Sequence, residues 1–142
     1  MTSTIVWIDD DIDMLRQQKA YLEEAGYMVK QEEDVDNAID YLMHNAGGVL
    51  GIIVDCMMSP GRALQGGEHQ AGLRTGLVLL NYLMDRGVVR QAGPPFLFIY
   101  THRLDAQAAE GVREKGFNYY QKQDYAGSKI KRLVDQEFGR SM

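Results

Sequence analysis

The chain has 142 residues, enough for one domain with a sizeable core, and its 45% hydrophobic and 25% charged residues are an ordinary globular balance. A formal net charge of −5 argues against general nucleic-acid binding, which needs a basic face. No apolar run approaches the roughly 20 residues of a membrane span, the opening Met1-Thr2-Ser3-Thr4 lacks the features of a secretory leader, and the lone Cys56 rules out an internal disulfide, so the expected setting is reducing and cytoplasmic.

In chain order, Thr4-Ile5-Val6-Trp7-Ile8 reads as a buried strand that stops at Asp9-Asp10-Asp11. Ile12, Leu15, Leu22 and Ala25 recur near helical spacing, with Asp11 in place to cap the start and Gly26 to stop the helix. Tyr27-Met28-Val29-Lys30 is a short strand. A helix over Val35–Asn45 follows, with Asp34 as its cap, an apolar face of Val35, Ala38, Ile39 and Leu42, and Gly47-Gly48 after it. Val49-Leu50-Gly51-Ile52-Ile53-Val54 is a strand that stops at Asp55. From Met57 to Arg74 no period is visible, and Ser59-Pro60-Gly61, Gly66-Gly67 and Gly72 mark a long loop, a feature usually functional or mobile. A helix resumes near Gly76. Gly93-Pro94-Pro95 turns into the strand Phe96-Leu97-Phe98-Ile99-Tyr100, which stops at Thr101. A helix over Leu104–Lys115, a strand Asn118–Gln121 ending at Lys122, and a helix over Tyr125–Phe138 complete the chain.

Strands alternating with helices at this spacing predict βαβ units, a parallel sheet and right-handed crossovers. No repeat or linker divides residues 1–142, so a single domain is expected. In such a sheet, ligands bind beyond the carboxyl ends of the strands, where this chain places its carboxylates and Thr101. Carboxylates with no His or thiolate beside them suit a hard cation such as Mg2+. Asp9 and Asp10 are candidate metal ligands converging with Asp55, whereas Asp11 reads better as a helix cap. Asp55 is also a candidate nucleophile that forms an aspartyl phosphate. Mg2+ beside it neutralises phosphoryl oxygens, Lys122 supplies a positive charge, and Thr101 a hydroxyl hydrogen bond. Cys56 reads as a small buried residue, and Trp7 as core packing.

Ile8-Asp9-Asp10, Val54-Asp55-Cys56-Met57-Met58, Tyr100-Thr101 and Tyr119-Tyr120-Gln121-Lys122, in that order, resemble the receiver domain of two-component response regulators over nearly the whole chain. The resemblance implies a flavodoxin-like doubly wound α/β fold: a five-stranded parallel sheet of order 2-1-3-4-5 with helices on both faces. It implies that Asp55 accepts phosphate from a histidine kinase or phosphotransfer protein and that the protein then acts on a downstream target protein, or passes the phosphate on. Asp10 binds Mg2+ directly on this reading, Asp9 through water, and the Met57 backbone carbonyl is a third protein ligand. Thr101 and Tyr119 match the switch pair, which moves when the phosphate arrives. Such a protein catalyses only its own phosphorylation and dephosphorylation. The reading involves neither nucleic acid nor membrane, and leaves room for a phosphorylation-dependent homodimer.

The chain departs from that family in three places. Met58-Ser59-Pro60 carries one residue more than the usual Met-Pro, and a further insertion, Gly61 to Arg74, precedes the helix start at Thr75-Gly76. Glu68 and His69 lie within it. Gln123 replaces the proline that usually follows the Lys after a cis bond, and a non-proline cis bond costs about 3 kcal/mol. His102 stands where a small residue is common and narrows access to the phosphate. The chain ends soon after its last helix, so no output domain is expected. Two rivals remain: a pseudo-receiver that binds protein without phosphorylation, and an Asp-nucleophile phosphatase of the haloacid dehalogenase-like class. The second needs an Asp two residues after the nucleophile, and that position is Met57.

Overall fold

The computed structural model describes residues 3–64, 74–103 and 105–139. Five strands, β1 (Thr4–Ile8), β2 (Met28–Glu32), β3 (Val49–Val54), β4 (Phe96–Thr101) and β5 (Asn118–Gln121), form one all-parallel sheet in the order β2-β1-β3-β4-β5. This is the order expected from the sequence. The described residues form five α-helices, α1 (Ile12–Glu24), α2 (Val35–Asn45), α3 (Thr75–Asp85), α4 (Ala106–Glu114) and α5 (Lys129–Phe138).

Strand side chains alternate between the two faces of the sheet, and this period builds two separate cores. Val6 and Ile8 of β1, Ile52 and Val54 of β3, and Leu97 and Ile99 of β4 pack with Leu42 of α2, Leu79, Leu80 and Leu83 of α3, and Val112 of α4. Ile5 and Trp7, Leu50 and Ile53, and Phe98 and Tyr100 pack with Leu15 and Leu22 of α1 and with Ile130, Leu133 and Phe138 of α5. The three central strands are thus apolar on both faces, which is why they read as unbroken runs. Gly51 is the exception in β3 because a Cβ there would meet the Phe138 ring at 2.5 Å.

Several boundaries differ from the sequence reading. β2 runs on to Glu32 because its ladder with β1 continues through Trp7 opposite Gln31 and Ile8 opposite Glu32. α4 starts at Ala106, where Asp105 takes the cap position and accepts the Ala108 N–H at 3.0 Å. The last helix does not begin at Tyr125: Lys122–Tyr125 is a 3-10 turn, Gly127 adopts φ +61, and α5 starts at Lys129. Turn and helix differ only by one residue in their hydrogen-bond spacing, so their apolar patterns merge in the sequence. Of the expected insertion, Gly61 to Leu64 and Arg74 are described; Glu68 and His69 lie outside the described residues. Its beginning is tied down. The Asp36 carboxylate accepts the N–H groups of Arg62 and Ala63 at 2.8 and 2.9 Å, and Leu64 is buried in the α2/α3 core.

Candidate functional site

β1 and β3 are neighbours with Ile8 opposite Val54, so the residues after them leave the sheet side by side. The ladder continues one step: Asp55 N–H donates to the Ile8 carbonyl and Asp9 N–H to the Glu32 carbonyl, both at 3.0 Å. Asp9 and Asp55 are thereby fixed by backbone, and both are buried. Asp10 is exposed at the rim. One oxygen from each of Asp9, Asp10 and Asp55 lies within 4.8 Å of the others.

Lys122 enters from the far side of β4, at the end of β5. Its ammonium lies 2.6 Å from Asp9 Oδ2 and 3.2 Å from Asp55 Oδ2, with the side chain 2% exposed. A charge this buried is tolerated only when paired. The opposite oxygens are also engaged: Asp9 Oδ1 accepts the Asp11 N–H at 2.9 Å, and Asp55 Oδ1 the Met57 N–H at 3.2 Å. Met57 itself is partly exposed on the loop after β3.

The electrostatics follow from crowding. Burial, and then the charge of Asp55, push Asp9 up to about 7, against the pull of Lys122. Burial and Asp55 also raise Asp10. Burial alone would lower Lys122, but Asp55 and Asp9 outweigh it and hold the ammonium above its ordinary range. The site therefore holds more negative charge than one ammonium satisfies. An all-oxygen donor set of this kind, drawn together and short of cation, fits a hard divalent ion such as Mg2+.

Thr101 closes β4 opposite Gln121. Its hydroxyl is buried and has no hydrogen-bond partner among the described residues. The backbone after it is held at three points. Gln123 Nε2 donates to the His102 carbonyl at 3.0 Å, Tyr119 Oη donates to the Arg103 carbonyl at 2.7 Å, and Arg74 forks onto Asp105 at 2.8 and 3.1 Å. The Ala108 N–H cap, with help from Arg74, keeps the Asp105 carboxyl below its usual range against the effect of burial. Tyr119 is buried against Cys56, and its hydroxyl is raised by burial. Burial, then Asp55, push the Cys56 thiol up to about 12, so it stays protonated and inert.

On the other side of the loop, the Thr75 hydroxyl donates to the Met58 carbonyl and Gly76 N–H to the Cys56 carbonyl at 3.1 Å. A Cβ at Gly76 would lie 2.6 Å from the Asp55 carbonyl oxygen, so α3 can start against the acceptor strand only with glycine there. A cavity of about 390 Å3 lies away from the carboxylates, lined by Arg113, Tyr119, Gln121 and Arg132 among others. In the carboxylate cluster only Asp10 reaches the surface, with Asp9 and Asp55 buried beneath it.

No family model matches the chain, and no curated protein matches it either. Solved structures do. A two-component response regulator from Clostridium difficile superposes with TM-score 0.72 at 19% identity, covering 99% of this chain and 98% of its own. The receiver domain of the Francisella response regulator 1452 gives 0.71 at 18%, covering 99% and 100%. The signal receiver domain of a Vibrio parahaemolyticus protein described as a Luxo repressor gives 0.72 at 14%, covering 99% and 93%. The chain has the fold of response regulator receiver domains. Within that receiver fold, Asp9, Asp10 and Asp55 come together with Lys122 bridging Asp9 and Asp55, and Thr101 and Tyr119 lie on the adjoining β4 and β5. The departure at Gln123 has a structural answer. The cis bond among the described residues is Pro94–Pro95, whereas Lys122 leads into a 3-10 turn.

Sequence reasoning missed the residues that brace the site. Arg74 and Asp105 are 31 positions apart and form a pair that no local pattern announces. Gln18 left a legible trace: it falls on the Leu15–Leu22 stripe of α1, at i+3, where an apolar residue is the norm. Tyr100 was hidden by counting as one more apolar residue in a buried strand.

Proposed function

We propose that this chain is a phospho-accepting signalling switch. A carboxylate oxygen of Asp55 attacks the phosphorus of a phosphohistidine on a histidine kinase or phosphotransfer protein. The P–N bond breaks, the imidazole leaves with the electron pair, and an aspartyl phosphate remains. The observation that carries this reading is the buried Lys122 ammonium bridging Asp9 and Asp55, beside an exposed third carboxylate. Asp9, Asp10 and Asp55, with the Met57 carbonyl, would hold Mg2+, which when bound neutralises phosphoryl oxygens. Both oxygens of Asp9 are already engaged by Lys122 and Asp11 N–H, which favours contact with the ion through water and leaves Asp10 for a direct bond.

Lys122 is placed to pair with a phosphoryl oxygen once Asp55 has reacted. The unpartnered Thr101 hydroxyl supplies a second donor. Drawing Thr101 inward pulls on the Arg103 carbonyl that is bonded to Tyr119, and so carries the event to the surface where a downstream target protein binds. The protein performs no turnover beyond its own phosphorylation and dephosphorylation, and it works in the cytoplasm.

The test is incubation with Mg2+ and acetyl phosphate, followed by mass spectrometry. The expected result is a gain of one phosphoryl group, abolished in Asp55→Asn and by chelation of the metal. No gain in the native chain would leave it a protein-binding module of the same fold. Multiple turnovers of a generic phosphate ester would make it a phosphatase.

A further inference from the structure

The turn that launches Lys122 lacks the usual proline, and it is held by a polar pair that has no other visible purpose. Gln18 of α1 is 3% exposed and sits between Leu15 and Leu22 in an otherwise apolar layer. A buried amide there is costly unless it is bonded. Its Nε2 donates to Tyr100 Oη at 2.9 Å and to the Tyr125 carbonyl at 3.2 Å, while its Oε1 has no partner among the described residues. Tyr100 is fully buried, and its hydroxyl lies 2.8 Å from the Tyr125 carbonyl and 3.4 Å from that of Lys122. A hydroxyl has one proton. The shorter contact takes it, so Tyr100 donates to Tyr125 and accepts from Gln18. The carbonyls at both ends of the Lys122–Tyr125 turn therefore converge on one oxygen.

That oxygen is itself fixed by packing. The Tyr100 ring meets Trp7 edge-on at 5.9 Å and Phe98 at 6.3 Å. A lysine side chain is long and flexible. Its ammonium stays between Asp9 and Asp55 only if the backbone it starts from is held, and the side chains of Lys122 and Gln123 leave that turn toward the site and toward His102.

We infer that Gln18 and Tyr100 are positioning residues for Lys122, and that they do the work left undone by the missing proline. The strand that ends at Thr101 thus also sets the lysine, through Tyr100 on its α1/α5 face.

The consequence for phosphoryl uptake rests on the proposed function; the consequence for Lys122 itself does not. Both are read on the full chain with Tyr100→Phe and, separately, Gln18→Met. The first readout is acylation of lysines by an N-hydroxysuccinimide acetate without metal, followed peptide by peptide, with exposed Lys131 as the internal reference. Native Lys122 is expected to be strongly protected, and each variant to lose about tenfold of that protection, the size of one lost hydrogen bond. The second is Mg2+ affinity by calorimetry beside the rate of uptake from acetyl phosphate. Uptake should slow about tenfold while Mg2+ binds at least as tightly, because a loosened ammonium competes less for Asp9 and Asp55. General loss of structure would weaken both. Native-like protection of Lys122 in either folded variant overturns the inference. So does failure of both variants to fold, which would make the pair a plain folding determinant. Lost protection in the variants of a chain that takes up no phosphate would sink the proposed function and leave the inference standing.

Discussion

The two faces of the sheet are built from different chemistry. The face under α2, α3 and α4 is almost wholly aliphatic, with valine, isoleucine and leucine interlocking. The face under α1 and α5 is aromatic and carries buried polar groups: Trp7, Phe98, Tyr100 and Phe138 pack edge-on or tilted there, Gln18 is buried among them, and Tyr27 donates to Asp135 at 2.6 Å. Aliphatic packing is set by volume and tolerates rearrangement, whereas aromatic rings with polar ends fix direction as well. The face that needs direction is the one from which the turn bearing Lys122 is held. The aliphatic face only has to keep β1 and β3 side by side.

The sharpest way to break this contrast is to hollow out each face in turn. Phe98→Ala and Leu80→Ala should cost about 3–5 and 2–5 kcal/mol in urea unfolding. Only Phe98→Ala, which removes a ring packed on Tyr100, should also expose Lys122 to acylation. Equal exposure in both variants would dissolve the distinction.

A second effect belongs to neither face but to the rim. Because Asp9 and Asp10 titrate higher folded than unfolded, the folded protein binds more protons between about pH 4 and 7. Metal-free stability should therefore fall as pH rises through that window, by an amount on the order of a few kcal/mol. Thermal melts of the native chain and of Asp9→Asn check it: the substitution should flatten the slope, and Mg2+ should raise the melting temperature most above pH 7.

Overfilling is expected to come next. Gly51→Ala drives a methyl into the Phe138 ring and should cost about 1–3 kcal/mol. Leu133 and Ile130 beside it offer little room. The smallest effect distinguishes two helix caps. Asp34 only accepts the Asn37 N–H, while Asp105 accepts the Ala108 N–H and also holds Arg74. Asp34→Ala should lose about 1 kcal/mol and Asp105→Ala more, within the roughly 0.5–2 kcal/mol spanned by caps plus one partly exposed ion pair. Only the second should change the rate of phosphoryl uptake.

Much of the framework could be read directly. β1, β3, β5 and α2 begin and end where the sequence places them, because each is bounded by a residue with a local cause: the acidic cluster after Ile8, Asp55 after Val54, Gly116 before Asn118, and Asp34 before Val35. The site residues were legible for a different reason. They are polar groups at the ends of apolar runs, and the parallel topology gathers such ends at one edge. What stayed hidden depends on distance along the chain. The 3-10 turn ending at Tyr125 reads as the start of the last helix until Tyr100 and Gln18, 25 and more positions away, are seen to hold it. Arg74 and Asp105 reveal their pairing only in three dimensions, as do Asp36 and the chain at Arg62.

The seam between Cys56 and Gly76 has a wider consequence. One hydrogen bond, together with the Thr75 clasp on Met58, staples the two roots of the inserted segment beside the acceptor strand. A loop with pinned roots can lengthen at little thermodynamic cost, since closure entropy grows only with the logarithm of its length. The constraint therefore falls on the described ends of the segment, on Leu64 seated in the core, Arg74 paired with Asp105 and the glycine at which the chain rejoins the domain, far more than on its length.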